Sequence, residues 1–526
     1  MAVPDLNFGD LLEAVAESIP DRPAIIYGDH LVSWREFDQR SNRLARNLAA
    51  AGLKPGSKVA FYLRNSPAYL ELFSACAKGR FTHVNVNYRY VDHELFHILD
   101  NSDAEAVVFD ASYAEQIQSL QPRLSKVKTY LALGEDTLND FSEDFETACC
   151  EGDDSSLDVQ RSGDDQYFMY TGGTTGYPKA VVWRHKDRIA VIGMTDAQDA
   201  QSHGRQVKAS PGPAVLPACP LMHSTGLTTA MVTLVSGGCI VLLPNETFDA
   251  ELCLSEIARH KVERVAIVGD AFSIPILDFL RQFSDRYDLS CVQLISSAGA
   301  MWSEPRKREL LDYFPNATLS DSLGSSEGSK LGSSVMKKGE SIGTASFIVG
   351  PSVKVFSEDF KEVEPGSGEA GMIAKAGPMP LGYYKDETGT EKTFPTIDGV
   401  RYSMAGDWCR IEKDGTMTLL GRGNNCINTG GEKVYPEEVE EGLKQVPEIL
   451  DVAVIGMPDE RWGQAITALV RMQQGQKFDE DKVTLHLSTG LARYKHPKVY
   501  KVVKEDFRHD NGKINYRFAR QMLDAV

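Results

Sequence analysis

Residues 170–180 read YTGGTTGYPKA, and in eleven positions they combine three requirements of a phosphate cradle. Gly172, Gly173 and Gly176 let successive backbone N–H groups turn inward on an anion with no Cβ in the way. The hydroxyls of Thr171, Thr174 and Thr175 add donors, and Lys179, just after Pro178, adds a mobile positive charge. The pattern is not GxxxxGK[ST], so this is not the phosphate loop of the common NTPases. A Gly/Thr-rich surface turn after the strand-like QYFMY is the plain alternative.

Two further patterns compete for attention. Residues 324–328 read G-x-S-x-G, which puts Ser326 at the nucleophile position of a hydrolase elbow, with His486, His496 or His509 as its base. A serine hydrolase would leave the phosphate cradle without a task. GSGEAG at 366–371 fits the dinucleotide pattern GxGxxG but follows Pro365 in a loop rather than a strand, which marks it as accidental.

The cradle resembles the ATP signature of the acyl-adenylate-forming superfamily, whose other signatures follow here in order to about residue 515, with Ala180 where many members have glycine. The resemblance is strongest to bacterial fatty-acyl and steroid-type acyl-CoA ligases, through YTGGTTGYPKAVVWRH, VGDAF and GGEKVYPEEVE. It implies ATP, Mg2+ and coenzyme A as cofactors and substrates. DSLGSSEG, 321–328, is similar to the second nucleotide signature: Glu327 is then the Mg2+ carboxylate, joined by Thr175, and Ser322, Leu323 and Ser326 are nucleotide contacts. Leu323 replaces the usual aromatic and Ser326 the usual threonine. SSAGAMW resembles the adenine and acyl contact, with Gly299 and Ala300 as close-approach positions. Asp407 in RYSMAGDW falls where the ribose is held, and Arg422 at a second nucleotide contact.

CPLMHSTGL is similar to the family segment in which a histidine or aromatic side chain closes the carboxylate pocket, which makes His223 the candidate gate, although a lone histidine is more often structural. Thr225, Phe272, Ile274, Met301 and Trp302 are the pocket candidates, small or apolar, which suits a medium-to-long or bulky apolar acid. Lys513 in DNGKINYR matches the adenylation lysine. The chemistry asks for one: a carboxylate attacking the ATP α-phosphorus brings two anions together, and a placed cation stabilises that state most. Acyl-AMP carries its own leaving group, so a thiol attacks it with no enzyme nucleophile. The resemblance places Gly430 and Gly431 on the pantetheine tunnel, Trp462, Tyr494, His496 and Lys498 at coenzyme A contacts, and a hinge at Asn424. A carrier-protein thiol is the alternative acceptor.

The elements that must position these groups are legible in outline. AIIYG, VAFYL, AVVFD, CIVLL and VAIVG read as buried strands, and 34–53 has helical spacing that stops at GLKPG. Such alternation predicts an α/β fold, with mostly parallel sheets covered by helices. A boundary near GRGNN divides residues 1–423, binding ATP and acid, from a small mobile α+β lid, residues 424–526. In that lid PEEVEEGLKQV and YRFARQMLDAV read as helices, and DVAVIGM, AITALVRM and KVYKVV as strands. The acidic stretch 143–158 reads as a solvated loop.

At 526 residues two or more domains are the default. A net charge of -18 argues against nucleic acid and anionic membrane surfaces as partners. The nine cysteines lack metal spacing and read as reduced cytoplasmic thiols. No secretory signal or membrane-spanning run is expected. Oligomeric state is open, a homodimer included.

Overall fold

All five apolar runs form strands, and four of them are buried, because side chains covered on both faces leave no room for polar alternation, while Pro23–Tyr27 is buried only at Ala24 and Ile25. The computed structural model describes residues 5–90, 92–134, 140–171, 178–193, 198–340, 346–422, 427–429, 432–459, 463–488, 491, 493–509 and 512–524. Among them, one sheet orders Glu143–Asp144, Thr129–Leu133, Ala104–Asp110, Lys58–Tyr62, Thr82–Asn85 and Gln166–Thr171 in parallel, then turns antiparallel through Lys179–Arg184 to Gly382–Tyr383. A second, larger sheet has a parallel half running Thr318–Ser325, Leu294–Ala298, Arg264–Ile267, Ala214–Pro217, Cys239–Leu242 and Pro23–Tyr27. Its other half, from Ser329–Met336 to Val353–Phe356, is antiparallel, built from hairpins that the strand and helix alternation did not announce.

The helix Trp34–Ala50 shows how local sequence sets an element. Ser33 caps it by accepting the Glu36 N–H at 3.1 Å, and Trp34, Phe37, Ser41, Leu44, Ala45 and Leu48 fall on the buried face. The chain leaves it through Gly52 at φ 91°, a left-handed position. The acidic stretch is a correction. It is not all solvated loop: Phe145–Cys150 is a short helix capped by Asp144, with Phe145, Ala148 and Cys149 buried.

A separate sheet contains only strands from Ile427 onward: Glu432–Val434, Ile427–Thr429, Gly463–Met472 and Ile449–Asp459, with Val499–Val503 parallel to Gly463–Met472. The helices Pro436–Lys444 and Tyr516–Asp524 cover it. No helix among the described residues is long and apolar enough to cross a membrane.

Two histidines sit in the core of the large unit. The His83 ring lies 4.4 Å from Phe61 and 5.7 Å from Phe73, and His185 Nδ1 accepts the Phe8 N–H at 3.3 Å. Burial pushes them down to about 3 and about 4. A group whose folded pKa lies below its unfolded value loses its contribution as pH falls from the unfolded pKa toward the folded one. Between pH 6.5 and 5 each imidazole should therefore withdraw on the order of 2 kcal/mol of stability. Urea midpoints at pH 7 and pH 5 should differ accordingly, and His185→Asn should shrink the difference.

Candidate active site

The strands Gln166–Thr171 and Lys179–Arg184 form a hairpin whose last register pair is Thr171 opposite Lys179. The loop they close carries Gly172, Gly173, Thr174, Thr175 and Gly176, and it lies outside the described residues. Both of its ends stand on the wall of a cleft of about 2050 Å³. Lys179 Nζ lies 2.6 Å from Asp386 Oδ2 and 5.3 Å from the centre of the Tyr383 ring. The Lys179 bond holds the Asp386 carboxyl below its usual range. An exposed pair of this kind is worth about 1 kcal/mol or less, so a polyphosphate can draw the ammonium across at small cost.

Asn85 fixes the hairpin in place. Its side chain accepts the Tyr170 N–H at 2.6 Å and donates to the carbonyls of Tyr170 at 3.1 Å and Met222 at 2.8 Å. One buried amide thus sets the spacing between the phosphate hairpin and the segment leading to His223. Asn65 does the same one turn earlier, accepting the Leu221 N–H at 2.7 Å and donating to the Cys219 carbonyl at 3.2 Å. Sequence reasoning missed both. The available signal was an asparagine ending a strand, Thr82–Asn85, that is otherwise fully buried.

Glu327 sits in the turn between Thr318–Ser325 and Ser329–Met336, where Ser325 pairs with Ser329. Three neighbours hold that turn: Trp183 Nε1 donates to the Ser326 carbonyl at 2.9 Å, Ser403 Oγ to the Glu327 carbonyl at 2.9 Å, and Tyr383 OH to Glu327 Oε1 at 2.9 Å. Tyr383, another residue missed in sequence, therefore touches both the buried carboxylate and the Lys179 ammonium. A β-hairpin is not the strand-to-helix elbow that a serine nucleophile requires, so the hydrolase reading of Ser326 fails on topology.

Gly299 adopts φ 93°, where an ordinary side chain is strained, and Ala300, Ser322 and Leu323 line the same cleft. Asp407 is buried on the cleft wall in register with Arg422 on the neighbouring strand. His223 immediately precedes the helix Ser224–Val235, and its Nε2 is buried with no hydrogen-bond partner. Burial first, then the positive charges of Lys513, Arg89 and His509, push the imidazole down to about 3. It is a neutral ring with a nitrogen to offer to an incoming group.

The pocket candidates divide. Thr225 and Met301 line the cleft, and Thr225 Oγ1 donates to the Ala298 carbonyl at 3.3 Å. Phe272 packs in the core against Phe248 with ring centres 4.9 Å apart, and neither Phe272 nor Ile274 reaches the cleft. Trp302 borders it from behind, fully buried under Lys307. Phe272 and Ile274 are corrections: the helix Gly269–Gln282 keeps both off the cleft wall.

Lys513 reaches the cleft because a buried chain of charges seats the C-terminal unit. Asp270, on the helix Gly269–Gln282, accepts from the Ser303 N–H and hydroxyl at 3.0 and 3.1 Å and lies 3.3 Å from Arg306. Lys444 lies 3.7 Å from Asp270 and 3.5 Å from Asp451, which Arg508 grips at 2.5 and 2.8 Å. Burial alone would raise the Asp451 carboxyl, but Arg508 and Lys444 hold it well below the usual range. Arg306 also donates to the Leu450 carbonyl at 2.9 Å. Beside this chain, Gly512 at φ 79° packs so closely that a Cβ would lie 2.9 Å from the Ala271 methyl.

The expected coenzyme A contacts stand elsewhere. Tyr494 and Lys498 are exposed, and His496 is buried with Nε2 3.1 Å from the Leu491 carbonyl, a packing role in place of the expected phosphate contact. None of the three lines the cleft. Asn424, Gly430, Gly431 and Trp462 lie outside the described residues.

Residues 12–384 match the AMP-binding enzyme family, and residues 438–513 match the AMP-binding enzyme C-terminal domain. The chain is 38% identical to a 3-oxocholest-4-en-26-oate--CoA ligase of Rhodococcus rhodochrous, covering 98% of this chain and 95% of that one. It is also 38% identical to a medium/long-chain-fatty-acid--CoA/3-oxocholest-4-en-26-oate--CoA ligase of Mycobacterium tuberculosis, covering 99% and 96%. Among solved structures, ATP-bound MatB from Rhodopseudomonas palustris superposes with a TM-score of 0.82 at 25% identity, covering 99% of each chain. The anthranilate CoA ligase AuaEII in complex with anthranoyl-AMP shares the fold, with a TM-score of 0.87 at 21% identity over 100% and 99%.

Lys444→Met should test the seating of Lys513. It leaves Asp270 with Arg306 and Asp451 with Arg508 but removes the charge between them, and losing one member of a buried ionic cluster typically costs about 3–5 kcal/mol. Acyl-AMP formation should slow at least tenfold in single turnover, while thioester formation from supplied acyl-AMP changes less.

Proposed function

Because this chain belongs to the AMP-binding enzyme family and is an AMP-forming acyl-CoA ligase, we propose that it activates a medium-to-long or bulky acid, of the kinds named for its fatty-acid and steroid-acid relatives, as an acyl-AMP before coenzyme A takes the acyl group. The observation that carries the reading is the convergence of Lys179, Glu327, His223, Asp407 and Lys513 on one cleft. These residues come from both units, and their chemistry suits one event, attack of a carboxylate on the ATP α-phosphorus.

Each residue has a separate task. Lys179, with the glycine-rich loop, holds the β- and γ-phosphates, and Asp407 accepts from the ribose hydroxyls, with Arg422 as a second contact. Neutral His223 offers its unpaired nitrogen to the acid and closes the carboxylate pocket. Lys513 places a cation where charge develops on the α-phosphoryl oxygens, and a donor aimed at transition-state charge contributes about 2.7 to 4 kcal/mol. Among the described residues no group of three or more His, Cys, Asp or Glu side chains could hold a metal by itself. A lone buried carboxylate does fit Mg2+ shared with phosphates, so Glu327, with Thr175, would hold the ion, which supplies charge neutralisation when bound.

In the second half-reaction the thiol of coenzyme A attacks the acyl carbonyl and AMP leaves with the bonding electrons. We assign this step to a turned position of residues 424–526 about Asn424, with Gly430 and Gly431 on the pantetheine path and Trp462, Tyr494 and Lys498 on coenzyme A. The exposed positions of Tyr494 and Lys498, off the cleft wall, suit contacts made in a second arrangement. A reducing cytoplasm is the proposed compartment, which suits the free cysteines.

Single-turnover assays separate the steps. Lys513→Ala should slow acyl-AMP formation by roughly 10²- to 10³-fold and leave thioester formation from supplied acyl-AMP largely working, and Gly431→Leu should do the reverse. Damage to the same step by both variants would defeat the turning mechanism. A panel of carboxylic acids scored by pyrophosphate release should require coenzyme A for sustained turnover; turnover only with a carrier protein would reassign the acceptor.

A further inference from the structure

Arg188 is a buried cation on the cleft wall whose partners are all neutral. It lies in the helix His185–Val191, and it is 4% exposed. Nη1 donates to Ser329 Oγ at 3.0 Å and Nη2 to Thr228 Oγ1, while Nε is buried with no hydrogen-bond partner. Its guanidinium also lies 5.3 Å from the centre of the Trp183 ring. Among the described residues no carboxylate comes within ion-pairing distance of it. A buried guanidinium served only by two hydroxyls and an indole face is a costly arrangement, because desolvation of the charge is left uncompensated.

The position of Arg188 separates it from Lys179, while its partner Ser329 stands two residues beyond Glu327. Trp183 stands four residues along its strand from Lys179, about 13 Å at the usual rise of a strand, and Arg188 follows that strand into the next helix. Thr228 lies on the helix Ser224–Val235, which starts immediately after His223, three residues beyond Thr225. At 1.5 Å per residue that is about 4.5 Å deeper along the helix than the Thr225 hydroxyl at the reacting end. The cation therefore looks onto the part of the cleft that an acid enters with its tail. Lys330 also lines this wall. Burial, with like charge from Arg188 and Lys330, pushes the nearby Lys375 down to about 8. The neighbourhood holds positive charge in excess.

We propose that Arg188 is a specificity-determining residue that receives a hydrogen-bond-accepting oxygen, a ketone or a second carboxylate, carried by the acid at a distance from its reacting carboxyl. The inference rests on the acyl-CoA ligase reading and deepens it. The acid is bulky and largely apolar, yet it is recognised by oxygen at its far end. A planar fork with five donors suits such an acceptor better than an ammonium would, and the hydroxyls of Thr228 and Ser329 complete the site. A pocket built to hydrogen-bond a substrate oxygen discriminates strongly against the analogue that lacks it, because the site's own polar groups are then left unpaired.

The test compares three acids of equal chain length, an alkanoic acid, its oxo-acid with the ketone remote from the carboxyl, and the α,ω-dicarboxylic acid. Each is scored by kcat/KM for pyrophosphate release in the presence of coenzyme A. The wild-type enzyme should favour at least one oxygenated acid over the plain one by tenfold or more, and the two oxygenated arms tell ketone from carboxylate. Arg188→Gln keeps a polar side chain of lower charge and should collapse that ratio toward one, mainly through KM for the acid. Arg188→Lys should retain part of it. Equal kcat/KM for all three acids in the wild type would overturn the inference while leaving the ligase reading intact, whereas failure to ligate any acid would overturn that reading itself. A ratio unchanged in Arg188→Gln, or a rise in KM for ATP with KM for the acid unmoved, would also overturn it. If Arg188→Gln does not fold, the wild-type ratio and Arg188→Lys decide alone.

Discussion

Everything the cleft can do in this arrangement depends on the row of buried charges from Arg306 through Asp270, Lys444 and Asp451 to Arg508. The row alternates in sign across the junction of the two units, where Lys444 links Asp270 of one to Asp451 of the other. Its strength is conditional: charges taken from water are stabilising only when each finds its partner in good geometry. Here Arg508 forks onto Asp451, and Ser303 and the Leu450 carbonyl satisfy the flanking groups. Lys513 follows Arg508 by five residues, and the turn between them is closed by bonds from the Gly512 N–H to the His509 carbonyl and from the His509 N–H to the Lys513 carbonyl, each 2.8 Å. The position of Lys513 is thus inherited from the ion pair of Arg508 with Asp451.

Within the large unit the same economy recurs with neutral groups. Asn85 and Asn65 tie loops to one another through backbone atoms, and Tyr383 joins the carboxylate of Glu327 to the ammonium of Lys179. Polar contacts of this kind fix distance in a way that apolar packing does not, since a hydrogen bond is lost within a few tenths of an ångström while a methyl contact slides.

What was legible in the sequence follows from that division. Strands announced themselves as apolar runs, the helix Trp34–Ala50 by its spacing and its Ser33 cap, and the reacting groups by motifs in which unusual residue types are crowded together. The supporting groups were not legible, because Asn85, Lys444 and Asp270 acquire meaning only from partners far along the chain. Composition also misled in a consistent way. Phe272 was assigned to a pocket because it is apolar, but a helix flank buried it first, and Phe145 drew an acidic stretch into a helix because one aromatic ring outweighs several solvated carboxylates. Arg188 escaped notice for the opposite reason: an arginine beside WRHK reads as surface charge until a fold encloses it.

Along this row the seam between the two units is lined by carboxylate, ammonium and guanidinium groups. A unit that turns away from such a seam presents water with surfaces that water solvates readily. In the turned position proposed above, this charged row adds no adhesive apolar patch to the surface. An apolar seam of equal strength would have made each turnover an opportunity for aggregation.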